Sequence, residues 1–510
     1  MRILIWHGWL LEGSGSNVAT ARTVESWRAA GHDVALLCQE PHPERYPWID
    51  AHGVVDGDGH RGLGLGLTDL RSTGEGRGRC VLLRPTIGPT LPVFVVDRYE
   101  GFDDVRRFVD LSDDELAAYL QANVDALRAA AEWHRSEFAM AGHAIPGAAI
   151  ARRAMGAQRY VAKIHGSDLE YAVRLQDRYR ELAREGLGGA RAVIGPTAEV
   201  LDRCAGLVPE MRPLGRVVAP GVDVEAFRPR RRAEALTDVA ERLARDPDAA
   251  RGRPADVDEL AERALDARDA VALDAIAATY DQAVPEPGAA ARLRALATGV
   301  TPIVGYLGKL IPQKGVELVL AAQHMLSRDT SSLIVGFGSH REWLAALAIA
   351  LRRGDEAALA WLRDVGSMPI GEAPHADGDR DRRPVTFTGR LDHRYAPGAL
   401  AAMDVMVVPS ILPEAFGMVA AEGAAAGALP MVGRHSGLAE VADALETEVG
   451  RPGLFSFAPG EGAVGRLAAS VDRLLALPAE EREDLAAGVS AFVGRAWTWD
   501  RTASKILAAW

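Results

Sequence analysis

Residues 409–443 decide the fold of this chain, and they read PSILPEAFGMVAAEGAAAGALPMVGRHSGLAEVAD. The apolar run 404–408 in front of them predicts a short buried strand. A loop containing Glu414 and Gly417 follows, and it opens an alanine-rich helix that stops near Gly427. A strand–loop–helix unit of this kind presents backbone N–H groups at the start of the helix, where an anion or a set of hydroxyls can be held.

Two carboxylates belong to this loop and helix. Glu414 lies in the turn before the helix, and Glu422 lies about two turns further on. Ionised carboxylates accept hydrogen bonds from hydroxyl groups, so this pair is spaced to hold two separate hydroxyl-bearing parts of one ligand. A surface charge is the simpler interpretation of Glu422, but the rest of its helix is apolar and a buried carboxylate needs a partner.

Length and charge narrow the class of protein. With 510 residues the chain exceeds the size of one typical core, so two domains are expected. The formal net charge of −12 argues against a nucleic-acid partner held by bulk electrostatics. The N-terminus enters a strand at once, without a signal-peptide pattern, and the sequence predicts no transmembrane segment. Peripheral contact with a membrane stays open.

Cysteine and aspartate spacing predict neither a disulfide framework nor a metal site. The three cysteines are Cys38, Cys80 and Cys204. They are odd in number, far apart and without metal-ligand spacing, which is typical of a reducing compartment and predicts a cytoplasmic protein. Two Asp-x-Asp pairs, Asp56/Asp58 and Asp377/Asp379, lie in glycine-containing stretches and are interpreted as solvated turns.

The N-terminal half begins with a βαβ pattern. Residues 3–6 predict a strand, 17–30 an amphipathic helix and 34–38 a second strand. A parallel sheet that binds its ligand at the carboxyl ends of the strands is therefore expected. The Gly13–Ser16 loop precedes the helix, where exposed N–H groups favour a phosphate, although a plain flexible turn explains it equally well.

Strand-end loops of this half contain two further candidates. The strand 160–164 leads into His165-Gly-Ser-Asp168, and Asp168 fits either a ligand contact or the cap of a helix over 169–181. His143, beside Gly142, fits either a ligand contact or an ordinary hydrogen-bonded histidine.

The C-terminal half repeats the strand–helix alternation after a charged, alanine-rich helical stretch, 230–297. The strand 302–307 precedes a loop with Lys309 and Lys314, and two lysines between a strand and a helix predict a phosphate site. Residues 355–383 are charged and contain glycine, and we expect a surface loop there.

Three motifs follow one another along the two halves: Pro220–Pro229, Gly308–Gly315 with its two lysines, and Glu414-x7-Glu422. The supporting features are the Gly13–Ser16 loop, Gly336–Gly338, Thr388–Arg390 and Trp499 near a C-terminal helix. With these motifs the chain resembles the GT-B glycosyltransferases of family 4, which are retaining enzymes that use nucleotide sugars. The resemblance covers both halves, but neither 230–297 nor 355–383.

The resemblance implies an α/β fold of the GT-B type, with two doubly wound, Rossmann-like lobes facing a cleft and a helical insertion between them. The predicted division is 1–229 as the N-terminal acceptor lobe, 230–299 as the helical insertion or linker, 300–490 as the C-terminal nucleotide-sugar donor lobe, and 491–510 as a C-terminal helix that crosses back to the N-terminal lobe.

The resemblance also assigns roles around the donor's diphosphate and transferred sugar. Lys309 and Lys314 would neutralise the diphosphate as charge grows on it, with help from the Gly15 amide. Glu414 would accept hydroxyls of the transferred sugar, and His143 would contact the same sugar. The assisting amides would be those of Phe416, Gly417, Met418 and Val419.

The nucleoside has its own implied contacts. Glu422 would hold the ribose diol as a bidentate acceptor, and the main chain of Arg390 and Leu391 would meet the base. Asp168 would lie near the acceptor. The sequence departs from the family at Lys309, where arginine is usual, so the phosphate would meet a point charge instead of a guanidinium fork.

These assignments predict a hexosyltransferase that moves a sugar from a nucleotide diphosphate donor to an acceptor hydroxyl with retention, by a front-face mechanism that needs no metal or other cofactor. A UDP- or GDP-sugar is the expected donor, and a small molecule, a glycan or a lipid-linked compound the expected acceptor. Two alternatives stay open: a sugar-nucleotide epimerase or phosphorylase on a similar fold, and a non-catalytic nucleotide-sugar binder or scaffold.

Overall fold

The computed structural model describes residues 1–55, 67–71, 78–96, 99–371 and 383–510. The two Asp-x-Asp pairs, at 56–58 and 377–379, lie outside the described residues. The chain divides into two compact units. Unit 1 comprises 1–221 and 498–510, and unit 2 comprises 222–497. The structure therefore groups the helical stretch 230–299 with unit 2.

Unit 1 is built on a mainly parallel sheet with strand order β11-β10-β9-β8-β1-β2-β5-β3-β4, in which β4 runs antiparallel, and β6 and β7 form a separate pair. The strands are β1 (Arg2–Trp6), β2 (Asp33–Leu37), β3 (Ala51–Val55), β4 (Thr68–Asp69), β5 (Cys80–Pro85), β6 (Thr90–Val93), β7 (Asp104–Arg107), β8 (Phe138–Gly142), β9 (Val161–Lys163), β10 (Ala192–Gly195) and β11 (Gly215–Val217). The central strands β1 and β8 are buried almost throughout, as expected for a sheet covered on both faces.

The helices of unit 1 are α1 (Gly15–Ala29), α2 (Asp113–His134), α3 (Ala148–Met155), α4 (Asp177–Gly188), α5 (Ala198–Leu207) and the C-terminal helix Trp499–Ala508. Ser112 and Glu115 form a capping box at the start of α2, because each side chain accepts a hydrogen bond from the other residue's backbone amide. The C-terminal helix is held by the indole of Trp27, which donates to the Ala503 carbonyl at 3.0 Å.

Unit 2 contains a six-stranded parallel sheet with strand order β14-β13-β12-β15-β16-β17. Its strands are β12 (Ile303–Lys309), β13 (Ser331–Phe337), β14 (Val385–Phe387), β15 (Val405–Val408), β16 (Leu429–Gly433) and β17 (Ser456–Phe457). Its helices are α6 (Arg232–Leu243), α7 (Val257–Ala267), α8 (Ala270–Ile276), α9 (Ala289–Thr298), α10 (Val316–Gln323), α11 (Arg341–Arg353), α12 (Glu356–Asp364), α13 (Ala396–Ala401), α14 (Met418–Ala425), α15 (Ser436–Glu448), α16 (Ala463–Leu475) and α17 (Ala479–Ala496).

Buried ion pairs attach the segment that contains the helices α6, α7, α8 and α9 to the rest of unit 2. The Arg253 guanidinium donates to both carboxylate oxygens of Glu342 on α11 at 2.8 Å. Arg341, also on α11, donates to Glu286 at 2.8 Å, and the Glu286 amide donates to the Thr388 carbonyl beyond β14. Each of these four charged side chains is at least 93% buried, so each pair compensates charges that would be costly to bury alone.

One local prediction held in part and one was wrong. The helix expected over 169–181 is interrupted: a π-helical turn spans Leu169–Val173 with Asp168 as its cap, and α4 begins at Asp177 after the extended Gln176, whose side chain donates to the Val109 carbonyl at 2.9 Å. The loop expected over 355–383 contains α12, whose Trp361 stacks on Trp343 of α11 at 5.5 Å between ring centroids. The sequence analysis missed α12 because charged residues surround its few apolar positions.

Glu317, in the first turn of α10, is a buried carboxyl group with only 1% of its surface exposed. Its Oε2 atom has no hydrogen-bond partner among the described residues. Burial raises the pKa of Glu317 to about 7, because the charged form loses its hydration.

The raised pKa of Glu317 predicts the direction of a pH effect on stability. The unfolded chain releases this proton near pH 4.5 and the folded chain near pH 7, so stability falls as pH rises through that window, by about 1.4 kcal/mol per pH unit at most. The variant Glu317→Gln should lose this fall and unfold at a higher temperature than wild type at pH 8. Thermal unfolding between pH 5 and 8 measures it, with the exposed Glu483→Gln as control. Parallel curves for Glu317→Gln and wild type would contradict the prediction.

Candidate functional site

The strand order of unit 2 reverses between β12 and β15, since β12 continues to β13 on one side and β15 to β16 on the other. Ligands of doubly wound sheets bind outside the carboxyl ends of the strands at such a switch point. Lys309 is the last residue of β12, Lys314 lies in the loop after it, and the loop after β15 contains Glu414. The structure thus brings the predicted residues of two distant segments to one edge of the sheet.

The two loops are in backbone contact. The Ile411 amide donates to the Gln313 carbonyl at 2.9 Å. Gly315 has φ +65°, and a Cβ atom there would lie 2.7 Å from the Pro409 carbonyl oxygen. Glycine is therefore required at 315 both for its left-handed conformation and for the close approach of the second loop.

The Glu414 carboxylate joins the loops through its side chain. Its Oε1 atom accepts a hydrogen bond from the Ser410 hydroxyl at 2.7 Å and forms an ion pair with Lys314 Nζ. Burial raises the pKa of Glu414, but the Lys314 charge and these hydrogen bonds outweigh burial and hold it below the usual range. Glu414 is therefore ionised at neutral pH, the state in which a carboxylate accepts hydrogen bonds from hydroxyl groups.

The start of α15 fixes the main chain of Glu414. The Glu414 amide donates to Ser436 Oγ at 2.9 Å, and its carbonyl accepts from the Gly437 amide at 2.9 Å. His435 Nε2 lies 2.7 Å from the Ser410 carbonyl oxygen. Sequence reasoning assigned no role to these residues, although three polar or small residues directly after a buried strand are a signal of a site loop.

The start of α14 presents backbone amides. Gly417 caps the helix with φ +87°, and a Cβ atom there would lie 2.3 Å from Leu438 Cδ2. Met418 and Val419 form the first turn, where amides lack partners within the helix. The Phe416 ring is buried against Trp497, with 5.1 Å between centroids, which leaves only its main chain for the predicted role.

Glu422 lies on α14 with 9% of its surface exposed, so it is not the surface charge of the simpler interpretation. Lys309 ends β12 half-buried, and its carbonyl accepts from the Tyr306 hydroxyl at 2.9 Å. The Arg390 amide donates to the Val284 carbonyl at 3.2 Å. That amide is thus engaged within unit 2, while contact of a base with Leu391 or the rest of this main chain stays a prediction.

The strand order of unit 1 reverses between β8 and β1. The loop after β1 leads to α1, which begins at Gly15 with Ser14 as its cap. His7 organises this loop, because its Nε2 lies 3.0 Å from Asn17 Oδ1 and its Nδ1 lies 3.2 Å from Thr20 Oγ1. The Gly15 amide therefore lies at a helix start beside the switch point, as a phosphate contact requires.

His143 directly follows β8 and has left-handed backbone geometry, with φ +71°. Its ring lies 4.5 Å, between centroids, from both Trp9 and His165. Burial lowers the pKa of His143 well below its usual range, so the ring is neutral at pH 7. The side chain of His143 is thus a neutral hydrogen-bonding group.

Asp168 connects the loops after β8 and β9. Its carboxylate accepts from the amides of Ala144 at 2.5 Å, Gly166 at 2.9 Å and Leu169 at 3.1 Å. The side chain is fully buried. These contacts favour the positioning interpretation of Asp168 over a direct contact with an acceptor.

In the part of the chain that the structure describes, no group of three or more His, Cys, Asp or Glu side chains is arranged to hold a metal ion. None of the helices in that part is long and apolar enough to cross a membrane.

Comparison with solved structures defines the fold class. The chain is similar to sucrose-phosphate synthase from Thermosynechococcus elongatus, with a TM-score of 0.57, 17% identity and coverage of 99% of this chain and 97% of the other. It is also similar to Anabaena HepE in complex with UDP and glucose, with a TM-score of 0.56, 12% identity and coverage of 100% and 98%. These likenesses, with the two doubly wound sheets, confirm the GT-B fold predicted from the sequence.

Sequence comparison places unit 2 among known domains. Residues 301–476 match the family described as Glycosyl transferases group 1. Over 189 residues the chain is 29% identical to a glycogen synthase of Halorhodospira halophila, which is 37% of this chain and 33% of that protein. Over 170 residues it is 28% identical to a GDP-mannose-dependent alpha-(1-6)-phosphatidylinositol monomannoside mannosyltransferase of Mycolicibacterium smegmatis, covering 31% and 37%. The matched part spans about a third of the length of these curated relatives.

The left-handed backbone of Ser436, with φ +48°, predicts an ordering of two variants. Ser436→Ala and Ser436→Gly both remove the acceptor of the Glu414 amide, at a cost of about 1–3 kcal/mol. Glycine relieves a left-handed strain of about 1 kcal/mol that alanine retains. Thermal unfolding should therefore rank wild type above Ser436→Gly and Ser436→Ala lowest. An alanine variant as stable as the glycine variant would contradict this.

Proposed function

We propose that this protein is a retaining glycosyltransferase of family 4 that moves a hexosyl group from a nucleotide diphosphate sugar to an acceptor hydroxyl. The observation that carries the proposal is the ionised Glu414, held by Lys314 and Ser410 at the switch point of a sheet that matches group 1 glycosyl transferases. A carboxylate held in this way accepts sugar hydroxyls without reorganising during the reaction.

The donor is held mainly by residues of unit 2. Glu422 accepts the ribose diol, and Lys309 with Lys314 neutralises the diphosphate. The amides at the start of α14 add partial positive charge near the transferred sugar. HepE was solved with UDP, and the mycobacterial relative is named as GDP-mannose-dependent, which supports a UDP- or GDP-sugar as donor. Gly15 and His143 remain predicted donor contacts of unit 1.

The chemical step is a front-face substitution. The bond between the anomeric carbon and the phosphate oxygen breaks, and a bond from the acceptor oxygen forms on the same face. The acceptor's hydroxyl proton passes to the departing phosphate oxygen, whose growing charge Lys309 and Lys314 stabilise. Metal independence belongs to this proposal, because the lysines and helix amides supply positive charge where the diphosphate leaves.

Acceptor and compartment complete the proposal. A small molecule, a glycan or a lipid-linked compound is the acceptor class that the family resemblance supports. Cytoplasmic location follows from cysteine usage, and the three thiols are free and buried in the structure.

The proposed role of Glu414 predicts a catalytic defect without a folding defect. Glu414→Ala should lower turnover about tenfold or more, the loss of roughly 1.4 kcal/mol of transition-state stabilisation. The assay is release of UDP, GDP or ADP from the corresponding sugar nucleotides, with cell extract as the source of acceptor. The exposed Glu483→Ala is the matched control. Wild-type turnover in Glu414→Ala would show that the site is misplaced.

The same assay separates the two alternatives. An epimerase converts the donor without net transfer, and a phosphorylase depends on free phosphate. A non-catalytic binder is stabilised by nucleotide in thermal unfolding but releases none. Activity that survives EDTA is expected for the proposed mechanism, and loss of activity that Mg²⁺ restores would contradict metal independence.

A further inference from the structure

Three cationic or neutral nitrogen donors of unit 1 lie together at the carboxyl ends of β8 and β9. Lys163 is the last residue of β9, His143 directly follows β8, and His165 lies two residues beyond Lys163. The rings of His143 and His165 are 4.5 Å apart between centroids. We call these three side chains the Lys163 cluster. It lies at the edge where doubly wound sheets bind their ligands.

The Lys163 cluster is buried, and three of its nitrogen atoms lack hydrogen-bond partners in the described chain. Lys163 is 6% exposed and His143 is 2% exposed. Lys163 Nζ, His143 Nδ1 and His165 Nε2 are buried and have no hydrogen-bond partner among the described residues. Burying an unpaired ammonium group costs several kcal/mol and burying an unpaired neutral ring nitrogen costs less, so one ammonium and two ring nitrogens without partners at one place require an explanation.

Neighbouring groups do not supply the missing acceptor. The nearby Asp168 carboxylate is engaged by backbone amides, as described above. The ring nitrogens of His7 are engaged by Asn17 and Thr20. Aromatic side chains line the other side of His143, with Phe94 at 5.3 Å and Trp9 at 4.5 Å between ring centroids.

The charge and the N–H groups of the Lys163 cluster favour an anionic ligand. Burial lowers the pKa of Lys163 only to about 8, so the ammonium form predominates at pH 7. Burial holds the pKa values of His143 and His165 well below the usual range, so each neutral ring directs one N–H group through its choice of tautomer. One positive charge with two neutral donors fits a ligand group that only accepts hydrogen bonds and carries negative charge.

His165 and Ser167 are half-buried, whereas Lys163 and Asp168 are buried. An approaching ligand group would therefore reach the cluster beside His165, since aromatic side chains pack against His143.

We propose that Lys163, His143 and His165 bind an anionic group, a phosphate monoester or a carboxylate, on the acceptor substrate. This inference rests on the proposed glycosyl transfer, and it moves His143 from the transferred sugar of the donor to the anionic group of the acceptor. It adds a substrate class, because a neutral sugar alone would leave the Lys163 ammonium unpaired. An anion at this place has a second source, the diphosphate of the donor, and the experiment must separate the two.

Lys163→Met is the decisive variant, since methionine fills a similar volume without the charge. The matched control is Lys505→Met, which removes an exposed lysine of unit 1. Calorimetric titrations use inorganic phosphate, lactate, and glycerol 3-phosphate against glycerol, with UDP as the donor arm. We expect wild type and Lys505→Met to bind an anionic probe and not glycerol, and Lys163→Met to bind that probe at least tenfold more weakly with UDP affinity unchanged.

Three results would overturn the proposal: no anionic probe binds wild type at 10 mM, the probe binds Lys163→Met as tightly as wild type, or Lys163→Met loses UDP affinity in proportion. The last result would assign the cluster to the donor's phosphates. Thermal unfolding separates a ligand-binding lysine from a structural one, because replacing a structural lysine would lower the unfolding midpoint. Lys163→Met should raise the unfolding midpoint, because it removes a buried unpaired charge, and a lowered midpoint would count against a ligand site.

Failure of this inference is distinguishable from failure of the proposed function. A protein that releases nucleotide and transfers sugar, but binds no anionic probe, would overturn only the anionic acceptor. A protein that binds the probe through Lys163, but releases no nucleotide from any donor, would overturn the glycosyl transfer and leave the anion site in place.

Discussion

The ion pair between Lys314 and Glu414 is the interaction on which the candidate site of unit 2 depends. It links the loop after β12 to the loop after β15, two segments 100 residues apart in sequence. The pair is partly buried, so its charges are less screened than those of a surface pair. Because Ser436 and Gly437 fix the main chain of Glu414, the carboxylate is oriented from both sides. A preorganised, ionised acceptor is what recognition of hydroxyl groups requires.

In unit 1, too, a carboxylate joins two loops that follow strands of the sheet. Asp168 joins the loops after β8 and β9 by accepting from backbone amides of both, and in this way it positions the residues next to His143. A buried carboxylate engaged by amides is a fixed connector, whereas the neighbouring Lys163 ammonium has no such partner in the described chain. Asp168 is therefore a structural group, whereas Lys163 is the group that we propose binds a ligand.

Sequence reasoning recovered the α/β fold and the strand-to-helix loops that contain the candidate site residues, for a physical reason. Alternating apolar strands and helices, such as β12 with its two-lysine loop, are local patterns, and parallel strands place their carboxyl ends at one edge whatever their order. The position of Lys309, Lys314 and Glu414 at strand ends was therefore predictable from local patterns, whereas their roles in binding stay a prediction. Ser436 and the amide partner of Arg390 were not predictable, because a bond from Glu414 to Ser436, or from Arg390 to Val284, depends on which helix packs beside which strand.

The sequence by itself determined the α/β class, the strand-to-helix loops and the residue types that we propose bind a nucleotide sugar. Only the tertiary structure decided that residues 230–299 are a part of unit 2, since their attachment rests on buried pairs such as Arg253–Glu342, which join residues 89 positions apart. It also decided that Lys163 is buried with no hydrogen-bond partner for its Nζ atom among the described residues, because burial and hydrogen bonding depend on every element packed around a side chain, and a local sequence pattern contains no record of them.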